Sequence, residues 1–227
     1  MVDLQSQYNK ELKSLFAENG ITSDFMIIDR LAYFASLVSL KNDSINLISR
    51  KDINSIIENH VFISSYIANY IPDKCSTFLD IGIGGGFPGI PLSIMRPEMS
   101  GVLIDSTRKK IDAVKEFINK LKLNNVKAIN DRVESPQVIN AYTNYFDLVV
   151  SRSALPLIIL LRYALPLIKE KAFLATLKGG NLDLEFQKAE MKYKSYIKKS
   201  TIFELYYKPS NVRNQKGKKL ILLELRK

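Results

Sequence analysis

A carboxylate followed by a glycine-rich turn is the first chemistry-bearing pattern in the chain. From Phe78 to Pro91 the residues read F-L-D-I-G-I-G-G-G-F-P-G-I-P, with Asp80 ahead of Gly82, Gly84, Gly85, Gly86 and Gly89. Glycine reaches φ > 0 and lets a ligand approach the backbone with no Cβ in the way. The apolar run Ile90 to Met95, which stops before Pro97, makes a short helix whose first N–H groups face whatever binds at the turn. This is a nucleotide-cofactor loop, and two cofactor classes fit its spacing. Gly84, Gly86 and Gly89 satisfy the dinucleotide pattern G-x-G-x-x-G. Gly82, Gly84 and Gly86 satisfy the G-x-G-x-G of S-adenosylmethionine enzymes. Asp80, just before the first glycine, favours the second class. A carboxylate there can face the cationic amino-acid end of that cofactor and would repel a pyrophosphate. Pro88 and Pro91 also remove backbone donors that two phosphates would need.

Further chemistry falls at the ends of later apolar runs. Asp105 follows Val102-Leu103-Ile104 about one βαβ unit beyond the glycines, where a carboxylate can bond ribose hydroxyls. Arg132, Arg152 and Lys178 are cations at successive run ends, where an anionic substrate would lie.

Ahead of the glycine turn, 1–70 reads as a helical extension. Leu4, Tyr8, Leu12, Leu15 and Phe16 have helical spacing, with Gly20 as a stop. Ser23 or Asp24 can cap a second helix, and Asp52 a third carrying Ile53, Ile56, Ile57, His60, Ile63 and Ile67 on one face. His60 on that apolar side reads as a hydrogen-bonded structural residue. Residues 71–227 follow βαβ grammar. Strands are expected up to Asp80, at Val102–Ile104, Val126–Ile129, Phe146–Val150 and Ala172–Leu177, with Ser106 capping the helix after the second. The final runs, Ser200–Tyr207 and Leu220–Leu225, permit an antiparallel hairpin. The expected fold is α/β: the Rossmann-like, seven-stranded sheet of class I S-adenosylmethionine-dependent methyltransferases, with an antiparallel C-terminal hairpin, preceded by the helical extension.

The 33 Lys and Arg residues against 23 Asp and Glu give a net charge of +10, which points to a polyanionic partner. The single cysteine, Cys75, excludes internal disulfides and Cys-rich zinc sites, and the single histidine, His60, argues against His-based metal sites and Ser-His-Asp catalysis. The N-terminus lacks a signal-peptide pattern. The apolar stretch Leu155 to Ile168 is broken by Pro156, Arg162 and Pro166 and is too short for a bilayer. These features read as a cytoplasmic, monomeric protein with no membrane or metal partner. The acceptor is narrowed by what is missing. Amino groups of adenine or cytosine are usually handled by an N/D-P-P-Y/F turn, and V150-S151-R152-S153-A154 does not match it. Attack on a cytosine carbon needs a thiolate, and Cys75 precedes the first strand. A ring nitrogen such as guanine N7 needs no deprotonation, and arginine can hold the acceptor edge of guanine bidentately.

With these residues assembled, the chain resembles the bacterial ribosomal small-subunit methyltransferase G family, the 16S rRNA guanine-N7 methyltransferases also called glucose-inhibited division protein B. The resemblance rests on N46-L47 with His60, on D80-I-G-I-G-G-G-F-P-G-I-P, on L103-I-D-S-T-R-K-K, on L121-K-L-N-N-V with R132-V-E, on F146-D-L-V-V-S-R-S and on L177-K-G. It implies cofactor contacts at Gly82, Phe87, Asp105, Val133, Glu134 and Arg152, to which the glycine pattern adds Asp80 and Gly84. It implies a basic residue on the rRNA side at Arg132, with Lys178 nearby; these two are the candidate catalytic residues. Where the family carries an arginine before its last strand, this chain has K216-G217-K218-K219, and Lys216, Lys218 and Lys219 are the candidate RNA-binding residues. Lysines and tyrosines interleave over 186–219, which suits backbone neutralisation and base stacking. The implied partner is 16S rRNA or the small ribosomal subunit. The competing readings are a methyltransferase of another RNA or of a small molecule, an NAD-dependent oxidoreductase, and a ribosome-binding factor that retains the fold without catalysis.

Overall fold

The structure is a computed structural model that describes residues 2–152, 155–180, 182–208 and 218–227. Two helices open the chain, α1 (Val2–Glu18) and α2 (Phe25–Asn42). The Asp24 carboxylate caps α2 by accepting the Met26 N–H at 3.0 Å. At the far end of α2, buried Asn42 turns the chain: its Oδ1 accepts the N–H groups of Leu47 and Ile48 at 2.8 and 2.9 Å.

The third helix expected from Asp52 does not form as one unit. A 3-10 turn (Arg50–Ser55), a π-helical turn (Ile57–Phe62), the short helix α3 (Ile63–Tyr66) and a second 3-10 turn (Ile67–Tyr70) replace it. Two side chains explain the break. Asp52 pairs with His60, Oδ2 to Nε2 at 3.4 Å, and so does not cap a helix. The Arg152 guanidinium donates to the carbonyls of Asn59 and His60, and a side chain inserted into the ladder distorts it.

Seven strands then build one sheet: β1 (Thr77–Ile81), β2 (Ser100–Asp105), β3 (Val126–Asn130), β4 (Phe146–Ser151), β5 (Ile168–Gly179), β6 (Ile197–Leu205) and β7 (Lys218–Arg226). Their spatial order is β3-β2-β1-β4-β5-β7-β6. The first five are parallel, and β7 runs antiparallel between β5 and β6, as the sequence predicts. The parallel strands connect through α4 (Gly89–Met95), α5 (Arg108–Lys120), α6 (Pro136–Tyr142) and α7 (Leu157–Ala164), and α8 (Asp183–Tyr193) leads into β6. Ser135 starts α6, its hydroxyl accepting the Val138 N–H, with Pro136 at the first helical position.

Each sheet face carries its own core. One joins α1, α2, α4 and α5 to the sheet through residues such as Leu12, Phe34, Ile90 and Phe117. The other gathers Val138, Leu157, Leu161 and Ala189 from α6, α7 and α8. The N-terminal helices thus share a core with the strands, and Phe34 packs its ring 5.0 Å from Phe87 of the glycine stretch. The order of strands reverses between β1 and β4, so a crevice opens above their carboxyl ends.

Asn42 offers a test of how the N-terminal segment is held. In Asn42→Leu the Leu47 and Ile48 N–H groups lose their acceptor in a buried site. The expected loss is about 2–4 kcal/mol of unfolding free energy, read by urea titration. A loss under about 0.5 kcal/mol would show that the turn does not depend on this carboxamide.

Candidate cofactor cleft and its cationic rim

The glycine stretch continues the β1–β2 pairing and then turns sharply. The N–H groups of Gly82 and Ile83 both donate to the Ile104 carbonyl, at 2.9 and 3.2 Å. Gly82, Gly84 and Gly86 have φ of +73°, +55° and +102°, the region that penalises any side chain. Gly89 is required for space. A Cβ there would lie 2.4 Å from Leu103 Cδ2 and 2.7 Å from Asp80 Oδ2, so α4 sits directly on the strands.

Asp80 departs from the expected orientation. It is fully buried beneath the loop, and its Oδ2 accepts the Gly89 N–H at 2.7 Å. Its carboxylate therefore braces α4 and does not face the crevice. Burial pushes its pKa up to about 8, against the lowering effect of the Gly89 bond and with a smaller upward push from Asp105. Oδ1 has no hydrogen-bond partner among the described residues.

Asp105 takes the bridging position. Oδ2 accepts the Gly84 N–H at 3.0 Å, Oδ1 accepts the Thr107 N–H at 2.8 Å, and the backbone carbonyl accepts Asn130 Nδ2 at 3.0 Å. The expected Ser106 cap is absent: α5 begins after Thr107, and the Asp105 carboxylate organises its entry turn.

A cleft of about 370 Å³ opens beside this bridge. Gly82, Asp105, Arg132, Val133 and Glu134 line it, and Ile81, Ile104, Leu155 and Tyr163 give it apolar walls. The lining suits a nucleoside: apolar side chains for a base, carboxylates for hydroxyls and a side-chain-free loop for close approach. The residues thus fit S-adenosylmethionine. Tyr163 and Leu155 escaped the sequence reading because only the crossing from β4 to α7 brings them here; nothing in their local pattern marks them.

The other predicted site residues fall in three groups. The Phe87 ring is 5% exposed and packs against Phe34 and His60, so its side chain serves the core. Arg152 directs its guanidinium to the carbonyls of Asn59 and His60 and the Ser64 hydroxyl, and it does not line the 370 Å³ cleft. Burial lowers its pKa to about 10, with Asp52 and Tyr207 opposing, so it stays charged at neutral pH. Lys178 is also turned inward. Its side chain is 9% exposed, and its Nζ bonds Glu185 Oε1 at 2.8 Å and the Leu155 carbonyl at 2.5 Å. The same Glu185 oxygen accepts the Leu157 N–H at 2.6 Å. A buried ammonium needs its carboxylate, so Lys178 clips the β4–α7 connection and is not presented to a substrate. By contrast the Arg132 side chain is 76% exposed at the cleft and only loosely tied to Glu134, at 3.7 Å.

Lys218 and Lys219, at the start of β7, do not form one patch. Strand alternation sends neighbours to opposite faces: Lys218 reaches Asn59 Oδ1 at 3.4 Å, and Lys219 pairs with Glu204 across the hairpin at 3.6 Å. Lys216 lies outside the described residues. His60 has its ring 5.2 Å from Phe87, beside Asp52, in keeping with a structural role. Among the described residues no three His, Cys, Asp or Glu side chains gather as a metal site, and no helix is long and apolar enough to cross a membrane.

Two variants test this geometry. Asp105→Ala removes the bridge and a cleft wall, and S-adenosylmethionine affinity should fall at least about tenfold, or about 1.4 kcal/mol, by calorimetry. Unchanged affinity would detach Asp105 from the cofactor. For Asp80, the folded pKa lies above the ordinary value of about 4. Between that value and about 8 the folded chain keeps a proton that the unfolded chain releases, so this group's contribution to stability is full below pH 4 and lost as pH rises towards 8. Asp80→Asn removes that slope, so the variant should gain stability relative to wild type from pH 5 to pH 8. Parallel stability curves would count against the buried, proton-holding carboxyl.

Comparison with known proteins agrees with this geometry. The family model described as rRNA small subunit methyltransferase G matches residues 27–211. The ribosomal RNA small subunit methyltransferase G of Chlorobium luteolum is 43% identical over 190 residues, covering 83% of this chain and 78% of that protein. Its counterpart in Chlorobaculum tepidum is 40% identical over 82% of this chain and 84% of its own length. The crystal structure of a SAM-dependent methyltransferase from Aquifex aeolicus shares the fold, with a TM-score of 0.57 at 17% identity over 84% of this chain and 98% of that one. The chain therefore belongs to the rRNA small subunit methyltransferase G family.

Proposed function

We propose that this protein methylates N7 of a guanine in 16S rRNA of the small ribosomal subunit, in the cytoplasm, with S-adenosylmethionine as methyl donor. The observation that carries this reading is the contrast among the three strand-end cations. Arg152 and Lys178 are built into the fold, whereas Arg132 stands open at the edge of the cofactor cleft. Family membership and the net charge of +10 support an RNA acceptor.

When bound, S-adenosylmethionine supplies a methyl group already activated on a sulfonium, which a ring-nitrogen lone pair attacks in line. The protein's part is alignment. Gly82 and its neighbours let the donor lie against the backbone, and Asp105 and Glu134 offer acceptors for its hydroxyls. Arg132 can then present two parallel donors to the guanine edge and hold N7 in line with the methyl carbon. A carbon acceptor attacked through a thiolate is disfavoured. Cys75 is buried ahead of β1, and burial pushes its thiol up to about 11.

The test is methyl transfer to small-subunit rRNA, with nucleoside mass spectrometry for 7-methylguanosine. Arg132→Ala and Arg132→Lys should each lose at least about tenfold in turnover, with S-adenosylmethionine affinity within about twofold of wild type. Full activity of the lysine variant would show that charge alone suffices. A methyl group found on any other atom would overturn the N7 assignment.

A further inference from the structure

A second cleft, of about 420 Å³, lies between the connector Asn46–Arg50 and Lys110 of α5. It adjoins the cofactor loop. Leu47, which lines it, sits so close to Gly85 that a Cβ on that glycine would lie 3.0 Å from the Leu47 Cβ. The Asp105 bridge ties Gly84 to the entry turn of the same helix that carries Lys110.

The charges around this cleft are arranged against the stability of the free protein. The first turn of α5 holds Arg108, Lys109 and Lys110 and no acid, although a helix N-terminus is already positive and disfavours cations. Nearby carboxylates are engaged elsewhere. Asp105 accepts two backbone N–H groups, Asp112 faces Arg108, Glu116 sits between Lys41 and Lys120, and Asp52 pairs with His60. Arg50, Lys51, Lys109 and Lys110 have no carboxylate partner among the described residues. The connector is meanwhile held in shape, because Asn42 fixes the Leu47 and Ile48 N–H groups from below. A preorganised wall with two unpaired cations, a serine hydroxyl and a carboxamide is a site for anionic oxygens.

We propose that this cleft binds phosphates of the RNA strand carrying the target base, through Arg50 and Lys110 with Ser49 and Asn46 as hydrogen-bond partners. The inference rests on the methyltransferase reading and adds the place where the RNA backbone is gripped beside the cofactor loop. Arg132 at the first cleft handles the base, and the second cleft fixes the strand.

The experiment compares wild type with the Arg50→Gln/Lys110→Gln double variant and with a charge-preserving Arg50→Lys/Lys110→Arg variant. A Lys10→Gln/Lys171→Gln variant, altered at exposed positions of α1 and β5 away from both clefts, serves as a baseline for net charge. Binding to purified small-subunit rRNA is measured against salt, KM and kcat for methyl transfer are measured, and calorimetry follows S-adenosylmethionine. The cleft variant should raise Kd and KM for RNA about tenfold and reduce the log–log salt slope by about 1.4 for a single-stranded contact. The charge-preserving variant should retain most of the slope, and cofactor affinity should stay as in wild type. Equal losses in the cleft and baseline variants would reduce the effect to net charge and overturn the site. So would weakened cofactor binding in the cleft variant, which would move the pair to the cofactor. If wild-type protein binds the RNA without methylating it, the reading as a methyltransferase fails, and the slope comparison still decides the cleft.

Discussion

The Asp105 carboxylate joins the two loops on which the site is built. One oxygen holds the Gly84 N–H and the other the Thr107 N–H, so the turn after β1 and the turn after β2 keep one geometry. Hydrogen bonds to a charged group are worth about 1.5–3 kcal/mol each, enough to hold a glycine-rich turn that has little rigidity of its own. The first cleft depends on this bridge directly, since Asp105 is part of its wall. The second depends on it indirectly, because the same turn sets where α5 begins and hence where Lys110 stands.

Beneath the bridge, sterics and burial do the remaining work. Gly89 leaves no room for a side chain between α4, Leu103 and Asp80. This closeness puts the Gly89 N–H on Asp80 and brings the start of α4 down onto the sheet. A carboxyl with a pKa near 8 in that position can remain neutral at neutral pH, which spares the loop a buried charge. The N-terminal segment is attached by similar means. Arg152 reaches from the end of β4 to the carbonyls of the π-helical turn, and Asp52 meets His60 next to it. Leu47 presses on Gly85 from the same side. The helical extension therefore forms part of the wall around the glycine loop.

The distribution of positive charge separates scaffold from surface. Lys178 with Glu185, Lys41 with Glu116, and Arg152 with its carbonyls are committed to holding elements together. Arg50 and Lys110 have no carboxylate partner among the described residues and Arg132 has only the loose pair with Glu134, around a turn that also holds the candidate cofactor cleft. A chain with a net charge of +10 attracts RNA over its whole surface. Placement of these few cations decides which part of an RNA would be held next to the donor.

The order of apolar runs, the glycine turn and the spacing of Asp105 were legible in the sequence, because strand alternation, helical periodicity and glycine's φ preference act over a few residues; Val133 and Glu134 entered through the family resemblance of R132-V-E. The seven-stranded sheet with its terminal hairpin follows from them, as does the place of Asp105 in the wall of the first cleft. The direction of individual side chains was not legible. Asp80, Arg152 and Lys178 all sit at strand ends and look alike as charges in a string. Asp80 turns under the loop because Gly89, nine residues on, offers it a donor. Lys178 turns inward because α8 brings Glu185 to it. Arg152 turns towards the N-terminal segment because the carbonyls of Asn59 and His60 lie within reach, and in taking them it breaks the helix that the isoleucine spacing predicts. Tyr163 and Leu155 enter the cleft only through the crossing from β4 to α7. Local preference set the elements, and the partner available to each buried polar group was decided by the tertiary structure, since desolvation forces such a group to its nearest complement wherever in the chain it arises.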